Sequence, residues 1–217
     1  MTGIMQAVLG GSFGFPNGWP ANIGDAYGGG YFAGQINVSG TKYNLVVAPV
    51  ASGQTNNKSW SNTITTTGIT SVINGPTNSA SLAALGAAYQ SAVFAEGLTI
   101  GGFSDWYMPA KNELEVLYYY LKPGTATNNT ASGSNANAVS PESISTAYSA
   151  FVPSQTTKTS FKTGGAEAFA ANIYWASTEI SSARAATQTF DDGQQSDASK
   201  NTSNAITYVR AVRRVAA

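Results

Sequence analysis

The 217-residue chain contains no cysteine and no histidine, and its 11 basic side chains balance 11 acidic ones at only 10% charged residues. These counts exclude disulfides, thiolate chemistry, His-ligated zinc and every Ser-His or Cys-His catalytic arrangement. They also argue against a basic nucleic-acid-binding surface. A chain of this length buries roughly 70% of its unfolded surface, enough for one domain without staples. The surface must instead be built from Ser, Thr, Asn, Gln and Gly, which suits glycan contact or a plain structural role. The first residues lack the basic start and apolar run of a secretory signal. No apolar run approaches the roughly 20 residues of a membrane span. The expectation is a protein made in a cytoplasm, which stays there or leaves it in an assembled particle.

Residues 1–25 read as an N-terminal arm. Gly and Pro at high density, including Pro16 and Pro20, argue against regular structure. Phe13, Phe15 and Trp19 argue against plain disorder. Two readings remain open: an arm that packs on another subunit or partner, and one that packs on its own domain. From residue 26 to 217 the pattern is that of a domain. Residues 31–38 and 43–48 are β-rich and flank Ser39-Gly40, a hairpin that Pro49 ends. Residues 51–76 are Ser/Thr/Asn-rich, with Trp60 and Ile64 expected to anchor in the core.

A helix is expected next, N-capped by Asn78 or Ser79. Its apolar face is Leu82, Leu85, Tyr89 and Val93, with Gly97 just past its end. A second helix starts at Pro109 and presents Leu114, Leu117, Tyr118 and Leu121 on one face. Glu113 and Glu115 sit early, where the dipole favours negative charge, and Lys122 with Pro123-Gly124 stops it. Residues 123–165 read as a long polar surface excursion, pinned by Ile144, Tyr148, Phe151 and Val152. Residues 166–170 suggest one helical turn. Strands follow at 173–179 and 186–190, then a turn at Asp192-Gly193 and a closing strand over 206–215. Strands, then helices, then strands indicate α+β with a twisted antiparallel sheet that brings the termini together.

Three stretches carry a resemblance. Asp105-Trp106-Tyr107-Met108-Pro109 with Glu113-Leu114 is similar to the Asp-Trp-x-Leu-Pro-x-x-x-Glu-Leu signature of a C-type-lectin-like family of phage tail and bacterial surface proteins. Tyr174-Trp175-Ala176-Ser177-Thr178-Glu179 resembles its Tyr-Trp-Ser-Ser-Thr-Glu strand, and Tyr208-Val209-Arg210-Ala211-Val212-Arg213 its closing Val-Arg-x-Val-Arg strand. The resemblance spans about 100–215. It implies a C-type-lectin-like fold, related to the formylglycine-generating-enzyme-like lectins, with two main helices on a twisted sheet and paired termini. It also implies a non-enzymatic virion protein for host attachment, on a tail fibre, baseplate or head fibre, commonly homotrimeric. The Glu-Pro-Asn and Trp-Asn-Asp tripeptides of calcium-dependent animal lectins are absent, as are the cysteines of the enzyme branch.

Asp105, Glu113, Glu179, Arg210 and Arg213 are charges inside apolar motifs, expected to form carboxylate–guanidinium pairs joining the helix, the Trp175 strand and the last strand. The competing reading is a glycosidase-like carboxylate pair. Trp106 and Trp175 are expected in the core rather than stacked on sugars. The polar segment 190–201 is the candidate recognition surface. In this fold the hairpin face near 181–184 often meets the ligand, so the candidates are Arg184, Gln188, Asp192, Gln194, Gln195, Asp197, Lys200 and Asn201. No cofactor is expected. Calcium would need Asp191, Asp192 and Asp197, whose spacing does not match an EF-hand. The expected partners are other virion proteins through the arm and a host-surface glycan or protein. No nucleic acid or membrane is expected. The alternative is a structural or decorating head or tail component without receptor binding.

Overall fold

The computed structural model describes residues 20, 22–139, 143, 144 and 146–217, the side chains of 143 and 144 excepted. Phe13, Phe15, Pro16 and Trp19 of the expected arm lie outside them. The domain begins with β1 (Ala26–Tyr27), β2 (Gly30–Val38) and β3 (Thr41–Val47). The β2–β3 hairpin turns at Ser39 and Gly40, both at positive φ (52° and 92°), the primed turn that matches strand twist. Next come α1 (Val50–Gly53), β4 (Gln54–Asn56), α2 (Gly75–Ala84), α3 (Gln90–Glu96) and α4 (Lys111–Leu121). The remaining elements are β5 (Ala138–Val139), β6 (Ser143–Ile144), β7 (Ile173–Glu179), β8 (Arg184–Thr189), β9 (Gln195–Ser199), β10 (Thr207–Arg210) and β11 (Val212–Ala216).

The α+β class holds, but the single antiparallel sheet does not. There are two sheets: one ordered β11-β3-β2-β5-β6 with β1 also on β2, the other ordered β4-β10-β7-β8-β9. The β7–β10 pair is parallel. The expected closing strand is two strands in two sheets, with Ala211 as the crossing point. Ala211 N–H donates to the Gly53 carbonyl (2.9 Å) and its carbonyl accepts from Ala48 N–H (3.0 Å). The last strand and β1–β2 share the first sheet but do not pair; β3 lies between them.

The first expected helix is also two. Gly86, at φ +104°, breaks the chain between α2 and α3, and Leu85 and Val93 turn out to solvent. Asn78 and Ser79 are not caps. Both lie inside α2, where Asn78 Nδ2 donates to Ser71 O (2.6 Å) and Ser79 Oγ accepts from Met108 N–H (3.0 Å). Gly97 closes α3 at an ordinary negative φ of −80°. In α4, Leu114, Leu117, Tyr118 and Leu121 are all buried as expected. Pro109 lies just outside, and Glu113 ties down the first turn by accepting the Ala110 N–H at 2.7 Å.

α4 packs between the sheets. Its apolar face meets Ile36 and Leu45 from the first and Tyr174 and Phe190 from the second. A second core, built on Trp60, Trp106 and Trp175, joins the sheets to α2 and α3. Trp60 anchors there as expected and donates to Ala176 O (2.9 Å), whereas Ile64 is 56% exposed. Residues 166–170 are a turn running into irregular chain rather than a helix; the helical turn is a 3₁₀ segment at Thr159–Phe161. The 123–165 excursion is not a simple surface loop. Asn128, Ser132, Asn135, Tyr148 and Phe161 are buried, whereas Phe151 and Val152, expected as pins, are 79% and 52% exposed.

Candidate functional site

The three motif stretches fold into one junction. Tyr107 and Val212 exchange backbone hydrogen bonds (2.8 and 2.9 Å). Ser177 N–H donates to Pro109 O (2.8 Å), and Lys111 N–H donates to Thr178 Oγ1 (3.0 Å). Arg213 grips Asp105 with two bonds (2.7 and 2.9 Å), a fork that fits a carboxylate, and stacks 3.8 Å from the Phe103 ring centroid. Trp106 and Trp175 are buried and donate to the carbonyls of Phe103 and Lys58. Both are core residues, as expected.

The other charges are paired, but with partners that differ from those expected. Glu113 accepts from Arg214 (2.7 Å), Tyr107 OH (2.6 Å) and the backbone N–H groups of Ala110 and Gly75 (2.7 and 3.1 Å). A Cβ on Gly75 would stand 2.1 Å from that carboxylate, so the close approach requires glycine. Burial pushes Glu113 up and Arg214 opposes it; for Arg214 burial is the largest single influence and lowers it, but Glu113 and Tyr107 together outweigh that and leave it raised. Arg210 pairs with Glu167 (2.8 Å) and also donates to Ala48 O. Glu179 pairs with a lysine, Lys200, and accepts the N–H groups of Thr67 and Gly68. Burial alone would raise Glu179, but Lys200 and those donors hold it below the usual carboxylate range.

This settles the position of two candidate ligand residues. Lys200 is fully buried, 4.7 Å from the Trp60 ring centroid, and donates to Thr65 O as well as Glu179. Gln188 is 1% exposed and donates to Gly193 O (2.9 Å). The Gln188 amide nitrogen and the Lys200 ammonium are already committed inside the protein.

The remaining candidates gather along β9 and its turn. Gly193, at φ +77°, sits against Tyr118, where a Cβ would come within 2.2 Å of the ring. The Asp192 carboxylate accepts Gln194 N–H (2.9 Å), and its carbonyl accepts Asn129 N–H (2.8 Å). Gln195 N–H donates to Ser132 Oγ (2.9 Å), and its side-chain oxygen accepts Gly133 N–H (3.0 Å). Residues 129–133 thus brace the turn from behind. Arg184 pairs with Asp197 across the β8–β9 ladder, and Asn201 accepts from Ser199 Oγ (2.8 Å). Exposed on this edge are Arg184, Asp191, Gln194, Ser196 and Asn201. Asp192 and Asp197 are thus tied to a backbone N–H and to Arg184, not to each other. Among the described residues, no three acidic, His or Cys side chains converge on one point.

Two features escape a reading by residue type. Glu115 is fully buried, and among the described residues no cation pairs with it. It accepts from Asn135 Nδ2 (2.7 Å) and Tyr148 OH (2.7 Å), and burial raises it to about 7. Lys122 turns inward to Asn128 Oδ1 (2.6 Å) and Pro153 O (3.4 Å). The only sequence signal was Tyr118-Tyr119-Tyr120: three successive rings on a helix cannot share one face. Two adjoining hollows of about 290 and 340 Å³ lie there, sharing Pro153, Ser154 and Gln155. No described helix is long and apolar enough to cross a membrane. No protein-family model matches the chain, and no curated protein matches it in sequence.

Proposed function

We propose that this chain is a C-type-lectin-like domain of a phage virion protein that recognises the host surface by binding alone, with glycan as the ligand class. The fold reading is supported by the convergence of the three motif stretches on one junction. The binding reading rests on one observation: the β8–β9 edge presents Arg184, Gln194, Ser196 and Asn201 to solvent on a turn braced from behind by residues 129–133. A rigid, hydrogen-bonding edge fits sugar hydroxyls and loses little entropy on binding. Weak single-site contacts would be multiplied by several copies on a particle, a homotrimer being the favoured assembly. The enclosed carboxylates favour binding over hydrolysis. Glu113 and Glu179 are each buried against a cation, whereas glycosidases need two carboxyl groups flanking an open cleft.

The test is binding of labelled protein to arrayed bacterial surface polysaccharides, wild type against a Gln194→Ala, Ser196→Ala, Asn201→Ala triple variant of unchanged melting temperature. Saturable wild-type binding that the triple variant loses supports the reading. A folded protein that binds nothing on the array and does not compete with phage adsorption favours the structural or decorating alternative.

A further inference from the structure

Phe151, the most exposed large apolar side chain among the described residues, forms a patch with Val152 beside a specific neighbour. Phe151 and Val152 stand at the rim of the two hollows. The first hollow is walled by Tyr119, Tyr120, Val152 and Pro153, and also by Ile23. Ile23 is the point where the chain enters the domain. That entry is fastened in place: Gly24 N–H donates to Phe32 O (2.7 Å), and Asp25 pairs with Lys158 (2.6 Å), which follows the hollow-lining Thr156 and Thr157. The described chain thus enters the domain at the lip of this hollow, and residues 1–19 precede it in sequence. They carry Phe13, Phe15, Pro16 and Trp19.

We propose that the hollows beside Tyr119, Tyr120, Phe151 and Val152 are the docking site of the chain's own N-terminal arm, residues 1–19. The reach suffices: an extended chain covers about 3.3 Å per residue, so Trp19 lies within about 13 Å of Ile23 and Phe15 within about 26 Å. The chemistry matches. The hollows set Ile23, Tyr119, Tyr120, Phe151, Val152 and Pro153 among Ser, Thr, Gln and Lys side chains, and the arm supplies three aromatic rings and one proline without a single charged side chain. A tether of a few residues raises the local concentration of the arm far above that of another copy, which favours the chain's own arm. Docking would cover Phe151, whose exposure is otherwise unexplained by any contact in the fold.

The absence of native cysteine makes the test direct. Asn17→Cys is combined with Ser154→Cys, an exposed residue lining both hollows, or with Ser181→Cys, an exposed residue in the β7–β8 turn. On mild oxidation the first pair is expected to close within one chain, roughly tenfold faster than the second. Equal rates would overturn the proposal, and so would a covalent dimer as the main product, which would put a second copy's arm in the hollow. An independent reading comes from Trp19, because Trp60, Trp106 and Trp175 are all buried. Phe151→Ser with Val152→Ser, both at exposed positions, should increase acrylamide quenching of the tryptophan emission and shift it to the red. Unchanged quenching would contradict the docking.

Discussion

Glu113 and Glu115 lie two residues apart on α4, and both are fully buried, yet they are held in opposite ways. Glu113 faces the motif junction and receives four donors, one of them the Arg214 guanidinium. Glu115 faces the 123–165 excursion and receives two neutral donors, Asn135 and Tyr148. A buried charge is tolerated where a cation and hydrogen bonds replace water. At Glu113 they do, and the last strand is locked to the helix. At Glu115 no cation does, and the group holds its proton up to about pH 7. One end of the molecule is therefore a fixed scaffold, and the loop packed on the other side of the helix is tied to a titrating group.

The largest effect should come from breaking the paired end. Arg214→Met leaves Glu113 buried without its cation, and denaturant unfolding should show a loss of about 3–5 kcal/mol. The next largest should come from pH at the unpaired end. Glu115 has a folded value near 7 against 4.5 unfolded, so the folded state binds the extra proton between them. Its contribution is fully present below about pH 4.5, falls as pH rises and is gone above about 7, a change on the order of 3 kcal/mol. Glu115→Gln should flatten that part of the stability–pH curve. Tyr148→Phe removes one donor to Glu115 and should cost about 2 kcal/mol at pH 8, where the carboxylate is charged, and about half that at pH 5. Arg184→Ala breaks only an exposed pair with Asp197 and should change stability by less than about 1 kcal/mol while weakening glycan binding.

Local chemistry made part of this legible. Ser39-Gly40 announces the hairpin, the Leu114–Leu121 spacing announces α4, and the aromatic run at 173–179 matches β7 residue for residue. What failed depended on distant partners. The 206–215 stretch reads as one strand because nothing in it marks Ala211, whose bonds are to Gly53 and Ala48. Leu85 and Val93 fit a helical face that Gly86 interrupts. At the candidate site, Gln188 and Lys200 are surface residues by type, but Gly193 O and Glu179 draw them inside. Glu115 reads in sequence as a charge favoured by the helix dipole, and the returning chain at Asn135 and Tyr148 supplies the donors that meet it in the interior.

The central claim is that the carboxylates of α4 serve architecture and leave the proposed recognition to the β8–β9 edge. Carboxyl ¹³C NMR titration of Glu113 and Glu115 tests it most directly. Glu115 should titrate near pH 7 and Glu113 above the ordinary carboxylate range, with neither resonance moving when a bound glycan is added. Both groups titrating together in the ordinary carboxylate range, or shifting with the sugar, would mean that they face an open cleft, and the scaffold assignment would fall.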